Sequence, residues 1–144
     1  MNIDRNAPMS ARKEIFIEAP PEKVWALHTD INGWPRWQPD ISSATLEGNL
    51  AAGTVFRWKA KGLGITSTLQ EVEPNLRISW TGNSLGMRAV HVWTFEPQDN
   101  GTRVVTEESL SGWFPRIVKL FMPTFLEKSL EQSLQVLKTH VEQA

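Results

Sequence analysis

The 144-residue sequence has no cysteine, no long apolar run and no excess of charge of either sign. Without cysteine the chain cannot form a disulfide, a thiolate zinc site, an iron–sulfur cluster or a cysteine nucleophile. Fifteen Lys and Arg against sixteen Asp and Glu give a net charge of -1, whereas proteins that neutralise nucleic-acid phosphates are clearly basic. No apolar run approaches the ~18 residues of a membrane span, and the polar first residues lack a signal-peptide core. We therefore expect a cytoplasmic protein without nucleic-acid binding and without stable membrane insertion.

Aromatic composition is the unusual feature of the chain. Seven of its aromatic residues are Trp, six are Phe and none is Tyr. Trp brings a large apolar surface and one N–H donor that needs a partner when it is buried. The composition indicates either a tryptophan-rich core or a hollow whose walls are indole rings.

The length fits one domain, which we place at residues 11–144 after a flexible tail over residues 1–10. Residues 12–18 have the alternation of a strand. Two short helices should follow, one with Pro21 in its first turn and one capped by Asp30 and ended or kinked at Pro35. Alternating segments separated by turn residues then predict six further strands, at 41–47, 54–60, 65–73, 76–81, 87–96 and 102–110.

The last part of the chain predicts a long amphipathic helix. Its apolar residues recur every three or four positions, at Leu126, Leu130, Leu134, Leu137 and Val141. Short hairpin connections imply an antiparallel sheet, and a twisted sheet of about seven strands curls enough to wrap a helix. The predicted fold class is therefore α+β.

Two sequence blocks carry a family resemblance, APPEKVW from Ala19 and WPRWQP from Trp34. With GTVFRWK, HVWTFEPQDNGTRVVTEES and LEQSLQVLKTHVE, they resemble the polyketide cyclase/dehydrase and lipid-transport family of the START-like (SRPBCC) superfamily, from about Lys13 to Glu142. The resemblance implies a helix-grip fold, in which a seven-stranded antiparallel sheet grips the C-terminal helix around an internal cavity. Members range from aromatase/cyclases to lipid carriers, hormone receptors and co-chaperones, so the resemblance leaves the ligand open.

Residue parity predicts which side chains face inward. On the strand over 87–96 the odd residues share one face, and a two-residue turn near Asn100 would place Val104, Thr106 and Glu108 beside them. A three-residue loop would instead bring Val105, Glu107 and Ser109 to that face. We favour the shorter turn, because Asn-Gly is the stronger turn sequence.

From this pattern we predict a site that binds a small hydrophobic molecule and needs neither a cofactor nor a metal. Trp34 and Trp37 lie in a Pro-bounded loop that either rims the entrance or braces the loop. The predicted ligand-binding residues are Trp34, Trp37, Phe56, Trp58, Trp80, Met87, His91, Trp93, Phe95, Thr106, Glu108, Phe121 and Phe125. The same aromatics could also simply fill a core against the helix.

His91 and Glu108 are the polar exceptions on the predicted inner face. His91 could be a hydrogen-bonded core residue or an anchor for a ligand oxygen. With Glu108 it could instead transfer protons in a polyketide cyclase or dehydratase. An apolar pocket would raise the pKa of Glu108, and an adjacent imidazolium would lower it.

The segment 112–125 is more apolar than an exposed surface requires. It could be a lid over the cavity, a dimer face or ordinary core. Three functions therefore stay open: binding or transport of a lipid, sterol or polyketide, cyclase-type catalysis, and a protein-interaction module similar to a co-chaperone. The chain could be a monomer or a homodimer.

Overall fold

A computed structural model describes residues 1–143, and within them seven strands form one antiparallel sheet. The strands are β1 (Met9–Ile17), β2 (Ile41–Leu46), β3 (Val55–Ala60), β4 (Leu63–Glu73), β5 (Arg77–Ser84), β6 (Met87–Gln98) and β7 (Gly101–Ser111). Their order across the sheet is β1-β7-β6-β5-β4-β3-β2. The predicted α+β architecture with seven antiparallel strands is confirmed.

Helices stand at two places in the chain. Helix α1 (Pro21–His28) and a 3₁₀ helix (Ile31–Arg36) connect β1 to β2, whereas α2 (Trp113–Phe121) and α3 (Phe125–Gln143) follow β7. Ala144, the last residue of the predicted domain, lies outside the described residues. Among the helices of residues 1–143, none is long and apolar enough to cross a membrane.

Helix α1 forms where the sequence predicts it. Pro21 occupies its first turn, where a missing N–H costs nothing, and Glu22 lies near the positive end of the helix dipole. The helix ends at Thr29, whose backbone N–H and hydroxyl both donate to the carbonyl of Trp25, at 2.9 and 2.7 Å. This end places His28 on the inner side of the helix, where it is buried.

The second short helix differs from the prediction in two details. It is a 3₁₀ helix that contains Pro35 and ends at Arg36, one residue after the proline. Asp30 precedes it as expected, but within the described chain its side chain makes no capping hydrogen bond. In so short a helix the proline removes a single backbone donor near the end.

The predicted tail over residues 1–10 is wrong at its C-terminal end. Strand β1 begins at Met9, which is buried and pairs with Leu110, and Ser10 pairs with Ser109. The sequence hides this extension, because alternation is weak in so short a segment. Pairing with the long strand β7 supplies the backbone partners that make it a strand.

The β6–β7 hairpin has the predicted register. Gln98 pairs with Gly101, so the turn is Asp99–Asn100, and His91 stands opposite Glu108 while Trp93 stands opposite Thr106. In this turn Asp99 has a positive φ, of 52°. Asp tolerates the left-handed region better than most residues, so the turn forms without glycine at that position.

The sheet curves around α3, and the helix buries its leucine stripe as predicted. Register shifts in β2 (between Ile41 and Ser43) and in β4 (between Leu69 and Glu71) mark irregularities of the kind that bend a sheet. The core forms two clusters rather than one. Leu126 and Leu130 pack with Met9, Ala89 and Leu110, whereas the later helix residues Leu134, Leu137 and Val141 pack with the tryptophans.

Replacing Leu134 by Ala should destabilise the fold strongly. Leu134 is buried in the larger cluster, and truncation of a buried leucine costs about 2–5 kcal/mol through lost transfer energy and the cavity left behind. Urea denaturation followed by circular dichroism measures the loss. The control is Gln135→Ala on the exposed side of the same helix, which should change stability by less than about 0.5 kcal/mol. Equal effects of the two substitutions would contradict the assignment of the buried face.

Candidate functional site

A cavity of about 370 Å³ lies between the concave face of the sheet and helix α3. Its walls come from the inner faces of all seven strands, from the end of α1, from the 3₁₀ helix and the loop after it, and from α2 and α3. Five of the seven tryptophans border it or its entrance, at Trp34, Trp37, Trp58, Trp80 and Trp93. The cavity falls within the range of small-molecule sites, about 300–1,000 Å³.

Nine of the thirteen predicted ligand-binding residues line this cavity: Trp34, Trp37, Trp58, Trp80, Met87, His91, Trp93, Glu108 and Phe125. The structure therefore brings most of the predicted set together around one space. Of the two places predicted for Trp34, the rim of the entrance is excluded, because the residue is buried against Phe56, Trp58 and Trp80. Trp37 is half-buried and closer to the entrance, with its ring 5.6 Å from that of His140.

The other four predicted residues do not line the cavity. Phe56 and Phe95 are fully buried and fill the core behind the wall. Thr106 is also fully buried, and its hydroxyl lies 2.8 Å from Nε2 of His91. Phe121 is 81% exposed, on the outer side of α2. Strand parity places a residue on a face, but it does not say how far the side chain reaches or what stands in front of it.

Hydrogen bonds fix two of the indole rings that form the wall. The N–H of Trp34 donates to the carbonyl of His28 at 2.8 Å, and the N–H of Trp58 donates to the hydroxyl of Ser67 at 3.0 Å. A ring that is held by both packing and a hydrogen bond keeps its orientation. This part of the wall is therefore preorganised.

His91 and Glu108 form the polar part of the wall, side by side on β6 and β7. Nδ1 of His91 lies 3.3 Å from Oε2 of Glu108, without the direction of a hydrogen bond. The Glu108 side chain is 18% exposed although it lies deep in the molecule, because its exposure is to the cavity. The ring of His91 also packs against Trp80 and Trp93, with centroids 5.1 and 5.4 Å apart.

Burial decides the protonation of this pair. It raises the pKa of Glu108 to about 8 and lowers the pKa of His91 to about 3. The nearby His28 also lowers the pKa of His91. Burial likewise lowers the pKa of His28 to about 3. At neutral pH Glu108 is therefore protonated and both histidines are uncharged, so the 3.3 Å contact is not an ion pair. An adjacent imidazolium would lower the pKa of Glu108, but neither histidine is charged, so desolvation determines the pKa of this carboxyl group.

Four residues of the wall carry a buried nitrogen that has no hydrogen-bond partner among residues 1–143: His28, Trp37, His91 and Trp93. Unpartnered buried polar atoms are uncommon in folded proteins, because each costs desolvation energy. Their concentration around one cavity distinguishes this region from a plain apolar core. Within the same described range no three His, Asp or Glu side chains are grouped in a way that could hold a metal ion.

The entrance lies between the loop after the 3₁₀ helix, the β3–β4 turn and the start of α3. Lys61 in that turn has a φ of 51°, and its backbone N–H donates to the carbonyl of Asp40 at 2.9 Å. Its ammonium lies 3.7 Å from the Asp40 carboxylate and 4.8 Å above the ring of Phe125. One side chain thus connects three edges of the opening.

Comparison with known families matches residues 8–142 to a model described as "Polyketide cyclase / dehydrase and lipid transport". The chain belongs to this family. A comparison with curated proteins found no match.

Solved structures share the helix-grip fold. A hypothetical protein from Helicobacter pylori is 19% identical, with a TM-score of 0.84, over 96% of this chain and 91% of that one. The Zhui aromatase/cyclase from Streptomyces sp. R1128 is 14% identical, with a TM-score of 0.81, over 93% of each chain. A START superfamily protein from Mycobacterium smegmatis is 16% identical, with a TM-score of 0.79, over 93% of this chain and 97% of that one. At these identities the likeness shows the fold alone.

Sequence reasoning missed several residues of the wall. His28 follows Val24 and Trp25 by four and three positions, and this helical spacing could have placed it on the inner face of α1. Met9 was assigned to the tail, although it lines the cavity. Ser129, Ser133 and Val136 lie beside the leucine stripe of α3, where no apolar pattern marks them.

The stability of this family member should depend on pH in a way that Glu108 controls. Between pH 4.5 and 8 the folded state keeps a proton that the unfolded state releases, so this group lowers the free energy of unfolding as pH rises. Below pH 6.5 the two buried histidines act oppositely, because the unfolded chain binds protons that the fold excludes. Glu108→Gln should remove a fall of up to about 1.4 kcal/mol per pH unit between pH 6.5 and pH 8.

Urea denaturation at pH 6.5 and pH 8.5 measures this fall in the free energy of unfolding. Glu107→Gln is the control, since that neighbour faces the other side of β7 and lies 3.4 Å from Arg12. If the free energies of unfolding of Glu108→Gln and of the parent protein differ by the same amount at both pH values, burial does not raise the pKa of Glu108.

Proposed function

We propose that this protein binds a small hydrophobic molecule, of the lipid, sterol or polyketide class, in the cavity between sheet and α3. One observation carries the proposal: a cavity of about 370 Å³ walled by indole rings, Met and Leu side chains lies where a helix-grip core would otherwise close. Family membership supports it, because the family description names lipid transport and polyketide chemistry. Carriage of the molecule between sites would follow from reversible binding.

The energetics favour a ligand larger than a fragment. Micromolar affinity needs about 8 kcal/mol, which corresponds to about 330 Å² of apolar burial at roughly 25 cal/mol per Å². The freedom lost on association adds roughly 4–15 kcal/mol, which raises the demand to about 500–900 Å². A lipid or polyketide can supply that area, and a smaller solvent-like molecule cannot.

The polar wall favours a ligand with an uncharged oxygen at its inner end. Glu108 is protonated at neutral pH and can donate a hydrogen bond to a carbonyl or hydroxyl oxygen. A ligand carboxylate at that depth would be buried without a cation, since the nearby histidines are neutral. Lys61 at the entrance is better placed for an anionic headgroup.

Filling part of the cavity should weaken binding. Ser133 lies on the cavity side of α3, and Ser133→Phe would place a ring in the space that the ligand needs. The measurement is titration with N-phenyl-1-naphthylamine, an uncharged probe whose fluorescence rises in apolar surroundings. We expect an increase for the parent protein and at least about tenfold weaker binding for Ser133→Phe, about 1.4 kcal/mol.

The matched control is Gln135→Phe, the same new side chain on the exposed face of the same helix. It should bind the probe as the parent protein does. Native mass spectrometry would add the mass of any lipid that is retained through purification. Absence of probe binding and of any retained lipid in the parent protein would contradict the proposal.

A second function, proton transfer in a cyclase or dehydratase reaction, is favoured by the His91–Glu108 pair. If Nε2 of His91 donates to Thr106 Oγ1, then Nδ1 keeps its lone pair and can accept a proton from a carbon between two carbonyls. The protonated Glu108 can at the same time give its proton to the carbonyl oxygen, which leaves an enol, an imidazolium and a carboxylate. Perturbed pKa values at a cavity wall are typical of such acid and base pairs.

Turnover of a poly-β-keto substrate should then fall by about 10²–10⁴-fold in His91→Ala and in Glu108→Gln. Binding of the naphthylamine probe should persist in Glu108→Gln, because that substitution keeps the shape of the wall. Product analysis by mass spectrometry measures the rates. Unchanged turnover in both variants would exclude the pair from the chemistry.

A further inference from the structure

Helix α2 has an outer apolar face that is largely exposed in the structure of residues 1–143. With the tip of the β5–β6 turn it forms what we call the apolar ridge. Leu85, Leu120 and Phe121 are 77%, 79% and 81% exposed. The ridge consists of Leu85, Trp113, Ile117, Leu120 and Phe121.

The ridge and the cavity lie on different sides of the same helix. At about 100° per residue, Trp113, Ile117, Leu120 and Phe121 fall within an arc of about 100°. The side that faces the cavity holds Phe114, Pro115, Val118 and Met122. Burial in the fold therefore accounts for one apolar side of α2, and the other remains to be explained.

Contacts at the start of α2 join the turn and the helix into one surface. The backbone N–H of Phe114 donates to the carbonyl of Gly86 at 3.1 Å. Gly86 has a φ of 65°, and a Cβ there would lie 2.2 Å from the Trp113 ring, so the ring packs directly on the turn. These contacts join the turn that carries Leu85 to the start of α2.

Both charged residues of α2 are cations. Arg116 and Lys119 occupy the remaining side of α2, both are exposed, and neither forms an ion pair with any residue of 1–143. The segments 78–95 and 109–126 hold Arg88, Arg116 and Lys119 and no Asp or Glu. In a chain with a net charge of -1, this is a local basic surface.

We propose that the apolar ridge docks this protein peripherally on an anionic lipid surface. Helices that lie in the membrane interface typically combine Trp, Leu, Phe and Ile on one face with Arg and Lys beside it. Burial of the apolar side chains and attraction to anionic headgroups then act together. A second copy of the chain fits less well. A two-fold contact places each surface against itself, so Arg116 and Lys119 would face like charges without a carboxylate in either segment.

Docking in this orientation would bring the lipid surface to the cavity. The same helix that contacts the headgroups forms part of the cavity wall through Phe114 and Val118. This gives a binding protein access to molecules dissolved in the bilayer. The proposal stands on the exposed face and its charges, and it does not require that the cavity be occupied.

The test is flotation of the full chain with vesicles of phosphatidylcholine alone and with 30 mol% phosphatidylglycerol. We expect binding only to the anionic vesicles, weakened in 0.5 M NaCl because salt screens the attraction. Leu85→Ala combined with Leu120→Ala should lower the bound fraction at least about tenfold, since both side chains leave the interface. Arg116→Gln combined with Lys119→Gln should remove the preference for anionic vesicles.

Leu76→Ala is the matched control, a 48% exposed leucine in the β4–β5 turn that lies outside the ridge, and it should bind as the parent protein does. Equal binding by the parent and the Leu85/Leu120 variant would overturn the proposal. The proposal would also be overturned if the parent protein sediments as a dimer and the Leu85/Leu120 variant as a monomer, since a second copy would then cover the ridge. Naphthylamine binding without vesicles separates the two proposals: if it persists while flotation fails, only the docking is wrong.

Discussion

The structure depends on a polar row across the concave face of the sheet. Glu108 and His91 are cross-strand neighbours, and Trp80 continues the row on β5. On one side of this row lie Met9, Leu110 and the first leucines of α3, and on the other lies the tryptophan cluster. A carboxyl and an imidazole cannot be packed like hydrocarbon without losing their partners, so the two clusters do not merge. The cavity is the space where they would have met.

Rigid aromatic walls keep that space open. Small or flexible side chains would collapse into a gap of this size, since folded interiors pack densely. The indole rings pack against one another, and two of them are held by hydrogen bonds, so they cannot collapse into the cavity. The fold carries the cost of an incompletely packed core and of buried nitrogens without partners. A guest with apolar bulk and an uncharged oxygen would offset both.

Helix α2 connects the cavity to the outside of the molecule. It is apolar on two sides, of which one belongs to the cavity wall and the other is exposed. Its third side carries the cations Arg116 and Lys119. A helix that is only a cover would need a polar outer face. In the proposed docking, the exposed apolar side and the cavity wall would belong to one functional region of the surface.

Local and short-range patterns determined much of this protein from the sequence alone. The seven strands, the leucine stripe of α3 and the shared face of His91 and Glu108 follow from periods of two and 3.6 residues and from a two-residue turn near Asn100, because each is set within a few residues. Only the tertiary structure decided the rest. The strand at Met9, the inward place of His28, the burial of Phe56 and Phe95 behind the wall and the neutral state of Glu108 depend on distant elements, since desolvation and depth belong to no single segment.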